Sequence, residues 1–155
     1  MQIPAGTPID NTALKTLINI PTQEIENQAA PEFLDRLDDK DFIRLAALLA
    51  EKGYHEGGCA IGAVVVHNQT RRIVGKGHNR HIQESRVYWH GETDAINDAG
   101  RFVDFSECTL YTSLTPCSVC TALTFSQGFH RLVIGNRLNG VNIENENLLR
   151  TKGVQ

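Results

Sequence analysis

The sequence predicts a three-layer α/β/α sandwich, and three features of the chain lead to this fold. From Asp38 onward, short apolar runs rich in Val and Ile alternate with segments whose apolar residues have helical spacing. Two neighbouring runs flank the turn "NQTRR" and are expected to form a hairpin. Later strands alternate with helices, which favours parallel pairing. We therefore expect helices on both faces of a central mixed sheet of four to five strands.

The predicted elements follow one another along the chain. The first is an amphipathic helix, "DKDFIRLAALLAEKG", with Gly53 as its stop. The hairpin strands are "CAIGAVVVH" and "IVGKGHN". They are followed by the helix "GETDAINDAG", the strand "CTLYTSL", the helix "CSVCTALTFSQG", the strand "RLVIGN" and the short helix "NENLLRTKG".

The beginning of the chain has a different character. Residues 1–37 hold four of the five prolines and have no strong strand pattern. Two stretches, "ALKTLI" and "PEFLDRL", show helical spacing of apolar residues. We expect residues 1–37 to form an N-terminal arm that packs on the body or on a partner chain, and residues 38–155 to form the main domain.

Composition and charge exclude several classes of protein. The chain has 155 residues, of which 41% are hydrophobic and 21% charged, as in one globular domain. Its formal net charge of −3 argues against a general nucleic-acid binder, which needs a basic surface. No apolar run approaches the ~18 residues of a membrane helix, and the N-terminus lacks the pattern of a secretory signal. We expect a cytoplasmic protein with no membrane or nucleic-acid partner.

The four cysteines suggest metal binding or catalysis, because disulfides are rare in cytosolic proteins. Cys117 and Cys120 lie where a predicted strand ends and a helix begins. Residues three apart share a helix face, so both sulfurs can point to one spot. A helix N-terminus also favours the thiolate that a metal requires.

His90 is the best candidate for a third ligand, since it stands at the start of the preceding helix with Glu92 two places on. Both side chains reach one site only if His90 lies where that helix begins. Zinc held by His90, Cys117 and Cys120 would keep an open fourth position, as catalytic zinc does. Glu92 would then move protons to and from the water at that position.

The motifs "HGE" at 90–92 and "PCSVC" at 116–120 match the signature of zinc deaminases. The chain resembles the cytidine deaminase superfamily, and within it the fungal type of cytosine deaminase, over about residues 38–153. Further similar stretches are "EGGCAIGAVVV", "GKGHN" and "RLVIGN". The resemblance implies a cytidine deaminase-like fold, a Zn²⁺ cofactor and a deaminase domain over residues 38–155.

The resemblance also implies an activity and a substrate site. The reaction would be the hydrolytic removal of an exocyclic amine from a free nucleobase or related amino-heterocycle, most simply a cytosine-like one. Asn79 would bind the edge of the base, the backbone around Gly91 and Leu114 would read its remaining polar groups, and Ile61 would form an apolar wall. Relatives of this type pair, so we expect a homodimer with the helix near Cys117 at or near its interface.

The chain departs from the pattern of that family in three places. An aromatic residue usual after the fourth strand is missing from "NRLNGVN", where Gly140 stands near that position. Tyr88 and Trp89 replace smaller residues before His90. The sequence stops at "KGVQ", about where the last strand of the family begins. We expect the ring of Trp89 or Tyr88 to line the pocket mouth and stack on the substrate; the alternative is that both rings pack in the core or at a dimer interface.

Other functions also fit parts of the pattern. A guanine, other amino-purine or triazine deaminase would use the same metal site. A zinc-stabilised binding module without chemistry would have Cys59 or Cys108 as a fourth ligand, but it would give Glu92 no role. A redox protein of the C-x-x-C type would leave both His90 and Glu92 unexplained.

Overall fold

A computed structural model describes residues 1–137 and 142–155. Its helices are α1 (Asn11–Asn19), α2 (Ile25–Gln28), α3 (Pro31–Leu34), α4 (Asp39–His55), α5 (Gly91–Ala99), α6 (Ser118–Ser126) and α7 (Ile143–Thr151). Its strands are β1 (Gly62–His67), β2 (Ile73–His78), β3 (Cys108–Leu114) and β4 (Arg131–Asn136). None of the helices in the described ranges is long and apolar enough to span a membrane.

The four strands form one mixed sheet in the order β2-β1-β3-β4. β1 pairs antiparallel with both β2 and β3, whereas β3 and β4 are parallel. Alternate residues of a strand point to opposite faces, so β1 contributes to two cores. Val64 and Val66 pack with α1 and α4 on one face, and Ala63 and Val65 pack with α5 and α6 on the other. The predicted three-layer fold is confirmed.

Helix α4 begins as the sequence predicts but ends later. The Asp38 carboxylate accepts a hydrogen bond from the backbone N–H of Asp41 at 3.0 Å, and the Asp41 carboxylate accepts one from Asp38 N–H at 3.1 Å. The predicted stop at Gly53 is wrong, because the helix continues to His55 and the chain reverses at Gly57, where φ is +87°. Gly53 is instead a buried helical residue whose missing side chain lets Cys59 and His78 approach.

Residues 1–37 pack against the body of the same chain. Leu14, Leu17 and Phe33 are fully buried in the core that also holds Phe42 and Val64. The Lys76 ammonium group of β2 donates a hydrogen bond to the carbonyl oxygen of Ile18, just before the end of α1, at 2.9 Å. One continuous core therefore crosses residue 37, and a boundary there stays a prediction.

Close packing of α5 on β2 positions the functional site. A Cβ atom at Gly77 would lie 2.6 Å from the Cβ of Asp94 and from the backbone nitrogen of Ala95. Such a contact is too short for any residue except glycine at this strand position. Gly77 therefore allows the first turn of α5 to lie directly on the sheet, next to the ends of β1 and β2.

Candidate active site

Two helix N-termini bring the three predicted ligands together. His90 immediately precedes α5, Cys117 immediately precedes α6, and Cys120 lies in the first turn of α6. Nδ1 of His90 lies 3.4 Å from Sγ of Cys117 and 3.5 Å from Sγ of Cys120. The three ligand atoms all lie within 4.8 Å of one another. His90 has extended backbone angles, which turn its side chain toward the site that Glu92 faces from inside the helix.

The donor set fits zinc. One imidazole nitrogen and two cysteine sulfurs are ligands that zinc prefers, and three protein ligands leave a fourth position open. Within residues 1–137 and 142–155, no further His, Cys, Asp or Glu joins this group. Cys108 lies at the other end of β3, and Cys59 is exposed on the cavity wall.

The two buried thiols have different environments. Burial raises the pKa of the Cys108 thiol to about 11, so this cysteine stays protonated at neutral pH. Burial, and after it the neighbouring Glu92 carboxylate, raises the pKa of Cys120 well above its ordinary value. A cation bound between His90 and the two sulfurs would reverse that shift, because it stabilises the thiolate.

Thr93 fixes the backbone of His90. The hydroxyl oxygen of Thr93 accepts a hydrogen bond from the backbone N–H of His90 at 2.8 Å. The same hydroxyl lies 2.6 Å from the carbonyl oxygen of Tyr88, to which it can donate its hydrogen. This pair of contacts holds the ligand at the point where the loop joins α5.

Glu92 lies inside the protein beside the ligands. Its residue is only 3% exposed, and Oε1 accepts a hydrogen bond from the Thr112 hydroxyl of β3 at 3.0 Å. That hydroxyl also lies 2.9 Å from the carbonyl oxygen of Leu114. Thr112 therefore connects the candidate proton carrier to the strand end that precedes Cys117.

A cavity of about 440 Å³ joins these groups. His90, Cys117 and Glu92 line it, together with the predicted substrate contacts Asn79, Ile61 and Leu114. Gly91 is buried behind the wall, where an added Cβ would lie 3.0 Å from the carbonyl oxygen of Ile61. Residues that were not predicted also line the cavity: Cys59, His81, Ile82, Thr115 and Asn142. Nearness to Asn79 in sequence could have indicated His81 and Ile82.

The structure places Trp89 and Tyr88 outside the lining of this cavity, in contrast to the stacking role expected from the sequence. The guanidinium groups of Arg80 and Arg86 both lie over the Trp89 ring, at 4.8 and 4.5 Å from its centroid. Its Nε1–H donates to Oδ1 of Asp94 at 2.6 Å. Tyr88 is 68% exposed and lines a separate groove between α5 and α6. The position near Gly140 lies outside the described residues.

The orientation of Asn79 determines what it can offer to a ligand. Oδ1 of Asn79 accepts a hydrogen bond from the backbone N–H of His81 at 3.0 Å. Only the amide oxygen can accept this bond, so the assignment of oxygen and nitrogen is settled by the donor. The amide N–H₂ is therefore the group that Asn79 can present to the cavity, and it would pair with an acceptor.

Several known proteins are similar to this chain. Residues 36–136 match the cytidine and deoxycytidylate deaminase zinc-binding region. Cytosine deaminase of Candida albicans is 39% identical over 120 residues, covering 76% of this chain and 78% of that protein. A tRNA-specific adenosine deaminase of Rickettsia bellii is 29% identical over 96 residues, covering 60% and 66%. The solved structure of guanine deaminase from Bacillus subtilis has a TM-score of 0.60 at 26% identity, covering 65% of this chain and 66% of that one. The resemblance predicted from "HGE" and "PCSVC" is confirmed.

Proposed function

Because the chain belongs to the cytidine and deoxycytidylate deaminase family, it is a zinc-dependent deaminase, and we propose that it removes the exocyclic amine of free cytosine by hydrolysis. The observation that carries this proposal is the single cavity in which Asn79 and Glu92 face the ligands His90 and Cys117. Its volume of about 440 Å³ is in the range of small-molecule sites.

Different residues at the cavity have different roles in the proposed reaction. His90, Cys117 and Cys120 would hold the zinc ion, which when bound lowers the pKa of a coordinated water to about 7. Glu92 would take one proton from the attacking water and give it to the ring nitrogen. It would then take a second proton, from the hydroxyl newly bonded to the ring carbon, and give it to the amine, which leaves as ammonia while that oxygen becomes a carbonyl. The Thr112 hydroxyl holds the Glu92 carboxylate at Oε1 during this transfer.

Two features of the cavity favour a free base that carries a ring carbonyl. Ile61 and Leu114 provide apolar contacts for a flat ring. The Asn79 amide offers hydrogen-bond donors, which match the carbonyl oxygen of cytosine and not the amino group of adenine. The net charge of −3 supports a small substrate over tRNA, since a polyanion requires a basic surface. Guanine also has a carbonyl group and is the second candidate, favoured by the similarity to guanine deaminase.

Ammonia release tests this substrate assignment. Cytosine, guanine, adenine, cytidine and an aminotriazine are offered to the zinc-loaded protein, and cytosine is expected to give the highest kcat/KM. Asn79→Asp keeps the acceptor for His81 but replaces the donor by an acceptor, so kcat/KM for cytosine should fall about 10- to 100-fold. Asn68→Asp, at an exposed position in the β1–β2 turn, is the matched control and should change nothing. Turnover of guanine but not cytosine would assign the enzyme to amino-purines.

We also propose that the protein is a homodimer. Tyr88 and Leu123 line one groove between α5 and α6, and Val119 on α6 is 45% exposed. Exposed apolar side chains on or near α6 favour a protein contact. Light scattering at micromolar concentration should give twice the mass of 17.2 kDa, and Val119→Lys should reduce it to one chain. A monomer before substitution would contradict this assembly.

A cytoplasmic location is part of the proposal. All four cysteines are free, as expected for a reducing compartment. Cell fractionation would place the protein, and recovery in an oxidising compartment would contradict the assignment.

A further inference from the structure

We propose that Asp94 is a positioning residue that fixes the loop of residues 79–90 and thereby places Asn79 against the substrate. The inference rests on the proposed function and deepens it. Asp94 lies in the first turn of α5, is 6% exposed and does not line the cavity, so its effect on the substrate must pass through other residues.

The Asp94 carboxylate binds both ends of the loop. Oδ2 accepts a hydrogen bond from the backbone N–H of His78 at 3.0 Å, just before the loop begins. Oδ1 accepts from Nε1 of Trp89 at 2.6 Å, near the point where the loop ends. Oδ1 also accepts from Nη2 of Arg80, the residue that follows Asn79. One buried carboxylate therefore accepts hydrogen bonds from three donors that are up to eleven residues apart in the chain.

The two ends of the loop also contact each other. The backbone N–H of Arg80 donates to the carbonyl oxygen of Trp89 at 2.9 Å. The guanidinium group of Arg80 lies on the Trp89 ring and donates to Glu84 at 2.8 Å. Arg80 thus bridges two carboxylates and one ring, and Asp94 is its buried partner. Without Asp94, this guanidinium would lose that partner and the Trp89 N–H would have no acceptor there, which is costly for partly buried groups.

The loop carries one side of the cavity. Asn79 is 4% exposed and stands between His78 and Arg80, whose contacts to Asp94 hold it on both sides. His81 and Ile82 follow and also line the cavity. Misplacing such contacts by about 1 Å can cost 10²-fold in rate. The geometry assigns Trp89 to the donors that Asp94 holds, which explains why a large ring beside His90 does not face the substrate.

Asp98 offers a matched control on the same helix. Its carboxylate accepts a hydrogen bond from the backbone N–H of Lys76 at 2.9 Å, one helical turn after Asp94 binds His78 in the same way. Its other partner is the hydroxyl of Thr22, at 2.5 Å, so Asp98 connects α5 to the arm and not to the loop. Both variants therefore lose a hydrogen bond between α5 and β2, but only Asp94→Ala releases the loop.

The test compares Asp94→Ala, Asp94→Asn and Asp98→Ala in the zinc-loaded protein. Asp94→Ala should lower kcat/KM for cytosine about 10- to 100-fold, mainly through a higher KM, with unchanged zinc content. Asp94→Asn, which keeps one acceptor oxygen, should recover part of the loss, and Asp98→Ala should leave KM unchanged. When Asn79→Ala has already removed the amide contact, adding Asp94→Ala should raise KM little further. Equal effects of Asp94→Ala and Asp98→Ala, or fully multiplicative effects with Asn79→Ala, would overturn the proposal.

Two further measurements test the role of Asp94 in holding the loop. Trp89 is the only tryptophan, so its emission reports on the loop without any turnover. Asp94→Ala should make this tryptophan more accessible to acrylamide, and Asp98→Ala should not. The opposite pattern would refute the positioning role of Asp94, even if no base is deaminated. A failure to deaminate any base would refute the proposed function separately. If Asp94→Ala does not fold, Trp89→Phe removes a single donor and should still raise KM, and an unchanged KM would count against Asp94.

Discussion

Cys120→Ser is expected to abolish zinc binding and, with it, deaminase activity. Cys120 is fully buried and lies 3.5 Å from Nδ1 of His90. A serine hydroxyl does not ionise near neutral pH, so the site would lose one of its two anionic ligands. Loss of even an outer-shell partner costs 10- to 100-fold in metal affinity, and loss of a ligand should exceed about 100-fold. Zinc content by mass spectrometry and ammonia release both measure the result.

Cys108→Ser is the matched control for this change, because Cys108 is also fully buried but lies outside the ligand group. It should keep its zinc and its activity per zinc. A chelator should lower the unfolding temperature of the unsubstituted protein, since a ligand that binds only the folded state stabilises it. The same chelator should leave the unfolding temperature of Cys120→Ser unchanged. Equal zinc loss in both cysteine variants would mean that the site has been misassigned.

Glu92→Gln should keep zinc and lose about 10²- to 10⁴-fold in kcat, the usual contribution of general acid–base catalysis. Glutamine retains an amide oxygen that can accept the hydrogen bond from Thr112, so the packing around the buried side chain should survive. Its amide neither takes up nor releases a proton near neutral pH, so it cannot transfer one to the ring nitrogen or the leaving amine. Steady-state ammonia release per zinc measures the change.

The exposed Glu107 provides the comparison for Glu92. Glu107→Gln makes the same change of charge and should leave kcat unchanged. Full activity in Glu92→Gln would place the proton carrier on another residue.

The candidate ligands could be predicted from the sequence because their geometry is local. Cys117 and Cys120 share one face at the start of α6, and His90 lies just before α5, as the spacing indicated. The Val-rich run "CAIGAVVVH" likewise predicted a buried strand, and five of the six residues of β1 are buried. Predictions of this kind depend only on the residue spacing within one helix or strand and on the sequence at its end.

The path of the loop and the direction of its rings depend on contacts that sequence spacing does not reveal. The position of Trp89 beside His90 suggested a pocket wall, but Asp94 and Arg80 draw the indole away from the cavity. Thr115 lies directly between Leu114 and the motif "PCSVC", whereas Asn142 reaches the cavity from a segment that carries no motif. The end of α4 was missed because Gly53 is used for close packing and Gly57 for the reversal of the chain.

X-ray absorption at the zinc edge tests the catalytic assignment of the metal site most directly. The zinc-loaded protein should show two sulfur neighbours at about 2.3 Å and one imidazole nitrogen with one further light atom at about 2.0 to 2.1 Å. Addition of a base should perturb the light-atom neighbours and leave both sulfurs in place. Three or four sulfur neighbours would mean that Cys59 or Cys108 closes the site, and a closed site would contradict a zinc-dependent deaminase.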